Sequence, residues 1–160
     1  MSAPLHDDTL WQGEAKPARL TRAEQRIRRR ARVRALQALY AADQLDLTLL
    51  RRTATMVFDD LAIEPEVRER ASRLIATVAD RHADLDAALM AVTENWRLER
   101  LGAIERCILR LAAAELQRAE TPPRTVIQEF VLLAERFGSP RAAGFVNGVL
   151  DAYARRSGKL

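Results

Sequence analysis

The sequence predicts an all-α protein of about seven helices. Three observations carry this. Apolar residues recur at three- and four-residue spacing through most of the chain beyond residue 21. Helix start and stop residues fall between those runs. No segment alternates apolar and polar residues over the length of a strand.

Each element follows from its own signals. Residues 1–18 mix Pro4, Gly13 and Pro17 with polar residues and read as a disordered tail, in which Trp11 has no evident role. Thr21-Arg22-Ala23-Glu24 fits a capping box that opens a first helix running to about Ala42. A second spans about 48–61, with Leu49, Leu50, Thr53, Met56, Val57 and Leu61 as its apolar face. Pro65 suits the first turn of a third, along which Val67, Ala71, Leu74, Ile75 and Val78 form one face. Asp84 opens a fourth, through Leu85, Ala88, Leu89 and Val92 to about Trp96, a residue suited to packing at a junction. The fifth covers about 98–119, with Leu101, Ile104, Ile108, Leu111, Ala112 and Leu116 inward, until Thr121-Pro122-Pro123 stops it. The sixth, about 125–137, ends at Gly138 in an expected left-handed cap. Ser139 and Pro140 then read as N-cap and first residue of the seventh, which runs to about Arg155. Asn147-Gly148 is a poor helix pair, attributed to close packing of this last helix on a neighbour, as for Gly102 and Gly144. The organisation is thus a tail (1–18), one helical unit (19–156) and a frayed end (157–160).

Composition narrows the function classes. With 160 residues and 48% hydrophobic content, the chain can bury a core without covalent staples. A single cysteine, Cys107, allows no intramolecular disulfide and fits a reducing compartment. No apolar run is long enough to span a membrane and the opening residues show no secretory pattern, so a cytoplasmic protein is expected. Only His6 and His82 are histidines, no phosphate-cradling glycine loop occurs, and no nucleophile–base arrangement is visible. Neither an enzyme, a cofactor nor a metal site is expected.

Charge is more informative. Of 26 basic residues all but Lys16 and Lys159 are arginine. Residues 19–34 hold eight arginines against Glu24 alone, a local charge of +7; subtracting that from the chain's +4 leaves −3 elsewhere. At about 100° per residue, Arg26, Arg28, Arg29, Arg30, Arg32 and Arg34 spread around most of the helix, leaving only the arc of Ile27, Ala31 and Ala35 uncharged. Such a segment is expected to project from the body or lie along its surface. It is either a solvated face or a phosphate-binding one. Arginine forks match phosphate oxygens, and crowded like charges repel without an anion, which favours the second without distinguishing DNA from RNA.

Four blocks carry a family resemblance. Residues 28–40 (RRRARVRALQALY) resemble the opening helix of the NusB family. Residues 95–116 (NWRLERLGAIERCILRLAAAEL) and 122–138 (PPRTVIQEFVLLAERFG) are similar to its central helix and the next one, and 145–151 (FVNGVLD) to its C-terminal signature. Order and spacing agree over roughly 22–155. The resemblance implies two packed three-helix bundles that bind boxA RNA together with the ribosomal protein NusE. It further implies that the complex joins the elongating RNA polymerase through other Nus factors and suppresses termination, classically in ribosomal RNA operons. It carries over RNA contacts to Arg28, Arg29, Arg30, Arg32, Tyr40 and Phe145, and partner contacts to Glu99 and Glu105. Some family members self-associate, so a homodimer is a further expectation, and similar domains precede some RNA cytosine-5 methyltransferases. This sequence departs from the pattern at Ala114, Gln128 and Arg141, positions where the family often has tyrosine, asparagine and an acidic or polar residue.

Read by themselves, Tyr40 and Phe145 are more often core residues and Glu99 and Glu105 ordinary helix-pairing charges, but one further observation favours Phe145. The last helix carries two apolar rows, Phe145-Val149-Ala152 and Val146-Leu150-Tyr153, and one core rarely needs both; an aromatic beside cations suits an unstacked base. Glu99 and Glu105, six residues apart, flank a helix face rather than stack on it.

Overall fold

The computed structural model describes residues 19–93 and 97–160, so the N-terminal tail, Trp11 and Trp96 lie outside the described residues. Six α-helices occur among the described residues: α1 (Arg22–Leu45), α2 (Leu50–Asp60), α3 (Pro65–Val92), α4 (Ala103–Arg118), α5 (Pro123–Phe137) and α6 (Ala142–Arg156). The described residues include no strand. Helices α1–α3 pack as one three-helix bundle and α4–α6 as a second, joined where α4 lies against α1 and α3.

Local chemistry explains most boundaries. The capping box at α1 forms as expected: the Glu24 amide donates to Thr21 Oγ1 at 3.1 Å, and the Thr21 amide to Glu24 Oε2 at 2.7 Å. These bonds hold the Glu24 carboxyl below the usual range. Proline stands in the first turn of both α3 and α5. At the other end of the chain, Gly158 takes φ +69°. The Gly158 amide donates to Arg155 O and the Lys159 amide to Ala154 O, a Schellman cap that closes α6.

The expected third and fourth helices are one helix of 28 residues. Asp84 is exposed and caps nothing, no glycine or proline interrupts residues 66–92, and the buried series Val67, Ala71, Leu74, Ile75, Val78, Leu85 and Leu89 stays in phase through the expected break. The expected fifth helix is divided: a single 3₁₀ turn (Leu98–Arg100) precedes α4, which ends at the left-handed Ala119. The buried face of α2 is Leu50, Ala54 and Phe58, while Met56, Leu49 and Leu61 are exposed. The helix turns to bury its one large aromatic residue, which the expected face left outside.

Helix α4 is the spine. Every residue from Cys107 to Leu116 is buried, because α1, α3, α5 and α6 surround it. Burial pushes the Cys107 thiol up to about 12, so it is an inert part of the core.

Three glycine readings change. Gly138 is not left-handed but extended, at φ −88° and ψ −176°. Its role is close approach: a Cβ there would meet Ala134 O and Ala142 Cβ, each at 2.7 Å. Substituting Gly138→Ala is expected to destabilise the fold by about 1–3 kcal/mol through overpacking, read as a lower midpoint in urea. Gly144 and Gly148 face open space, so close packing does not account for them. Ser139 and Pro140 form a turn, with the Ala142 amide donating to Ser139 O, and α6 begins at Ala142.

Candidate nucleic-acid interface

The basic half of α1 does not stand away from the body. It lies against the second bundle, and Ala31 and Arg32 are buried there. Charge around the helix suggested that burial was closed to it, but a buried charge is tolerated when paired. Arg32 donates through Nε (2.9 Å) and Nη2 (2.6 Å) to both carboxylate oxygens of Glu115 on α4. Its guanidinium also stands 3.7 Å from Glu129 and over the Phe130 ring of α5. Arg32 is thus engaged inside the protein, and the structure takes it out of the solvent-facing arginine set.

Its neighbours are arranged differently. Arg29 is 62% exposed and donates from Nε and Nη2 to Glu129, a pairing that raises its pKa. Arg30 pairs at 3.0 Å with Glu64, also on the surface. Arg28 is half-buried: Nη1 donates to Thr121 Oγ1 at 2.9 Å, while Nε is buried without a hydrogen-bond partner. Burial lowers its pKa, and the charges of Arg70 and Arg32 lower it further.

These side chains border a groove of about 530 Å³ between α1 and the α4–α5 turn. Arg19, Gln25, Arg28, Arg29 and Arg32 form one wall; Glu120, Thr121, Pro122, Thr125 and Glu129 form the other. Hydroxyl and guanidinium donors line a space of nucleotide size, and only Glu120 and Glu129 contribute negative charge, the latter already bonded to Arg29. The chemistry is that of anion binding. Arg30, Tyr40 and Phe145 do not line the groove. Tyr40 is 40% exposed farther along α1. Phe145 is half-buried against the core, and the row that α6 buries most fully is Val146, Leu150 and Tyr153.

The sequence reading missed Arg19, Thr121, Thr125 and Glu129 as groove residues. Arg19 was visible in the basic run. The others come from a turn and a helix about a hundred positions away, and only the fold brings them to α1.

The two candidate partner residues are not in one site. Glu99 is exposed at a second cleft, of about 400 Å³, beside Asp43, Asp86, Arg106 and Arg110. Asp43 is the hub there, accepting from Arg106 at 2.6 and 3.0 Å and from Arg110 at 2.9 Å, while Arg110 also clasps Asp86. Glu105 does not border that cleft; its Oε1 accepts from the Ser139 amide at 3.0 Å. Burial acts to raise the Glu105 pKa, but the hydrogen bonds from the Ser139 amide, its own amide and the Ser139 side chain together outweigh it and leave the carboxyl below the usual range.

Among the described residues, no group of His, Cys, Asp or Glu is placed to hold a metal ion, and no helix is long and apolar enough to cross a membrane.

Residues 29–155 match the model of the NusB family. The chain belongs to the NusB family. It is 42% identical over 131 residues to the transcription antitermination protein NusB of Anaeromyxobacter dehalogenans (strain 2CP-1 / ATCC BAA-258), covering 79% of this chain and 89% of that protein. It is 39% identical over 127 residues to the NusB of Sorangium cellulosum (strain So ce56), covering 79% and 90%. The solved T. maritima NusB superposes with a TM-score of 0.72 at 30% identity, over 80% of this chain and 90% of that one. A crystal structure of the antitermination factors NusB and NusE in complex with double-stranded RNA matches equally well, with a TM-score of 0.72 at 30% identity over 82% and 98%. The NusB fold therefore accounts for both bundles and for the packing of α1 against α4.

Proposed function

We propose that this NusB-family protein binds boxA-type RNA along the groove beside α1, together with a NusE-like small-subunit ribosomal protein. The assembly joins the elongating RNA polymerase in the cytoplasm and prevents termination. The protein acts by binding, without chemistry of its own, through the helical unit of residues 19–156. The observation that carries this reading is the groove itself, with solvent-facing Arg29 and half-buried Arg28 opposite Thr121 and Thr125. The relatives named as antitermination proteins, and a solved relative held with NusE and RNA, support it. Phosphates engage Arg28, Arg29 and Arg30. Tyr40 and Phe145 offer ring faces to unstacked bases outside the groove. Arg32 serves indirectly, by holding α1 against α4. The partner approaches the Glu99 side of the molecule, while Glu105 acts apart from that cleft, by fixing the turn before α6.

The test is fluorescence anisotropy with a short boxA-type RNA and a scrambled RNA, at two salt concentrations, with and without the ribosomal partner. Tighter binding to boxA, strengthened by the partner, is the expected result. The Arg29→Gln variant is expected to reduce the salt slope by about 0.7 on single-stranded RNA. Losing the Phe145 ring in Phe145→Ala is expected to cost about 1–3 kcal/mol of stacking. Equal, weak and steeply salt-dependent binding to both RNAs would reduce the groove to a generic polyanion patch and sink the proposal.

A further inference from the structure

Beside the groove, sharing Arg28, Arg32, Glu120 and Thr121 with it, lies a smaller cleft of about 40 Å³, where α3 meets α1 and the end of α4. Five arginines line it, with Glu115 and Glu120 as its two acids. Both acids are committed: Glu115 to Arg32, and Glu120 to Arg118 at 2.8 Å. Arg73 turns to Glu69 on its own helix, at 2.5 Å. Arg28 and Arg70 are left without a carboxylate. Arg28 has only the neutral Thr121 hydroxyl, and its Nε is buried with nothing to donate to. Arg70 is half-buried on α3 and close enough to depress the Arg28 pKa by repulsion. Two guanidinium groups thus line one cleft, partly desolvated and without a bonded carboxylate, and Glu115 and Glu120 offset the Arg28 charge only through space. That arrangement is costly unless an anion completes it. The cleft is less than a tenth of the groove in volume, a size that suits a small anion.

We infer that Arg28 and Arg70, with the Thr121 hydroxyl, form a second phosphate site that grips the backbone of a bound RNA strand where it crosses α1 from the groove towards α3. This rests on the RNA reading above and extends it to a helix outside the basic segment. Arg28 and Thr121 line both groove and cleft, so one strand can pass a phosphate to each space. Arg70 belongs to the part of the chain whose net charge is −3, which is why the charge distribution gave no sign of it.

The test compares wild type with Arg70→Gln, Arg70→Lys and Arg29→Gln in salt-dependent binding to single-stranded boxA-type RNA. It also measures melting midpoints in inorganic phosphate against chloride at matched ionic strength. Arg70→Gln is expected to weaken binding severalfold and lower the salt slope by about 0.7, and Arg70→Lys to restore most of that slope. Phosphate is expected to raise the wild-type midpoint by binding the folded state, with the increment lost in Arg70→Gln. An unchanged slope in Arg70→Gln, when Arg29→Gln lowers it, would overturn this site and leave the groove standing. A phosphate increment lost in Arg70→Gln without any slope change would assign the cleft to free phosphate and overturn the RNA assignment. Failure of the wild type to bind either RNA would remove the groove reading, and this one with it.

Discussion

Replacing Glu115 with alanine is expected to cost the fold about 3–5 kcal/mol, because it strands the buried Arg32 guanidinium without its bidentate partner. Both side chains are at most 10% exposed, so water cannot take the place of the carboxylate. Glu129 stands 3.7 Å away but is already bonded to Arg29, so it compensates poorly. Replacing both partners together, Arg32→Met with Glu115→Leu, is expected to recover most of the loss, since an apolar pair of similar volume needs no counter-charge. Urea unfolding of the two single variants and the double would show this as a large non-additive coupling. Additive losses would mean that Arg32 and Glu115 are each held by other contacts.

Removing Asp43 is the second large effect. Asp43 receives Arg106 and Arg110 at once, tying α1 to α4, and its side chain is only 7% exposed. An Asp43→Ala change is expected to destabilise by about 3 kcal/mol, at the lower end because Arg110 keeps Asp86 and Arg106 keeps the Leu98 and Leu101 carbonyls. The same residue gives a pH signature. Burial acts to raise its pKa, but the hydrogen bonds and charge of Arg106, then Arg110, outweigh burial and hold the carboxyl below the usual aspartate range. A carboxyl depressed by folding contributes stability that is fully present above its unfolded pKa, about 3.9. That contribution fades as pH falls from there through the lower folded value. Wild type should therefore lose stability more steeply than Asp43→Ala as pH drops below about 4. Parallel curves in that window would show that Asp43 is not a hub for acid unfolding.

Much of this was legible in the residues, and the failures have identifiable causes. The capping box at Thr21, Pro65 in the first turn of α3 and the glycine-poor apolar periodicity produced the all-α reading and most helix positions, whereas Pro123 opens the helix it was expected to precede and Pro140 opens none. The break expected at Asp84 failed because an aspartate, though favoured at caps, is tolerated on an exposed helix face at a small cost, and only the phase of Val78 and Leu85 across it decides. Gly138 was recognised as special for the wrong reason, since its backbone is extended and the need is space beside Ala134 and Ala142. In the candidate site, the arginine run showed where an anion would go but not which arginines were available. Arg32 is buried because Glu115 lies 83 residues away in sequence and a hydrogen bond away in space. Arg70 went unnoticed because a single arginine on an ordinary amphipathic helix carries no local signal. Pairings of this kind are properties of packing, not of spacing along the chain.

The unbroken α3 bears on how the two ends of the molecule communicate. At 1.5 Å per residue its 28 residues make a strut about 42 Å long. It belongs to the first bundle and also packs against α4 and α6 of the second. A hinge between the bundles would have to break the contacts that α4 and α6 make along this strut, and the strut itself has no proline or glycine to yield after its first residue. Arg70 stands near its start, while Asp86 and Met90 border the Glu99 cleft near its end. With the nucleic acid at the Arg70 end and the protein partner at the Glu99 end, as proposed, the helix acts as a ruler that sets a fixed separation between them. Geometry then restricts which pairs of ligands can be bound at the same time.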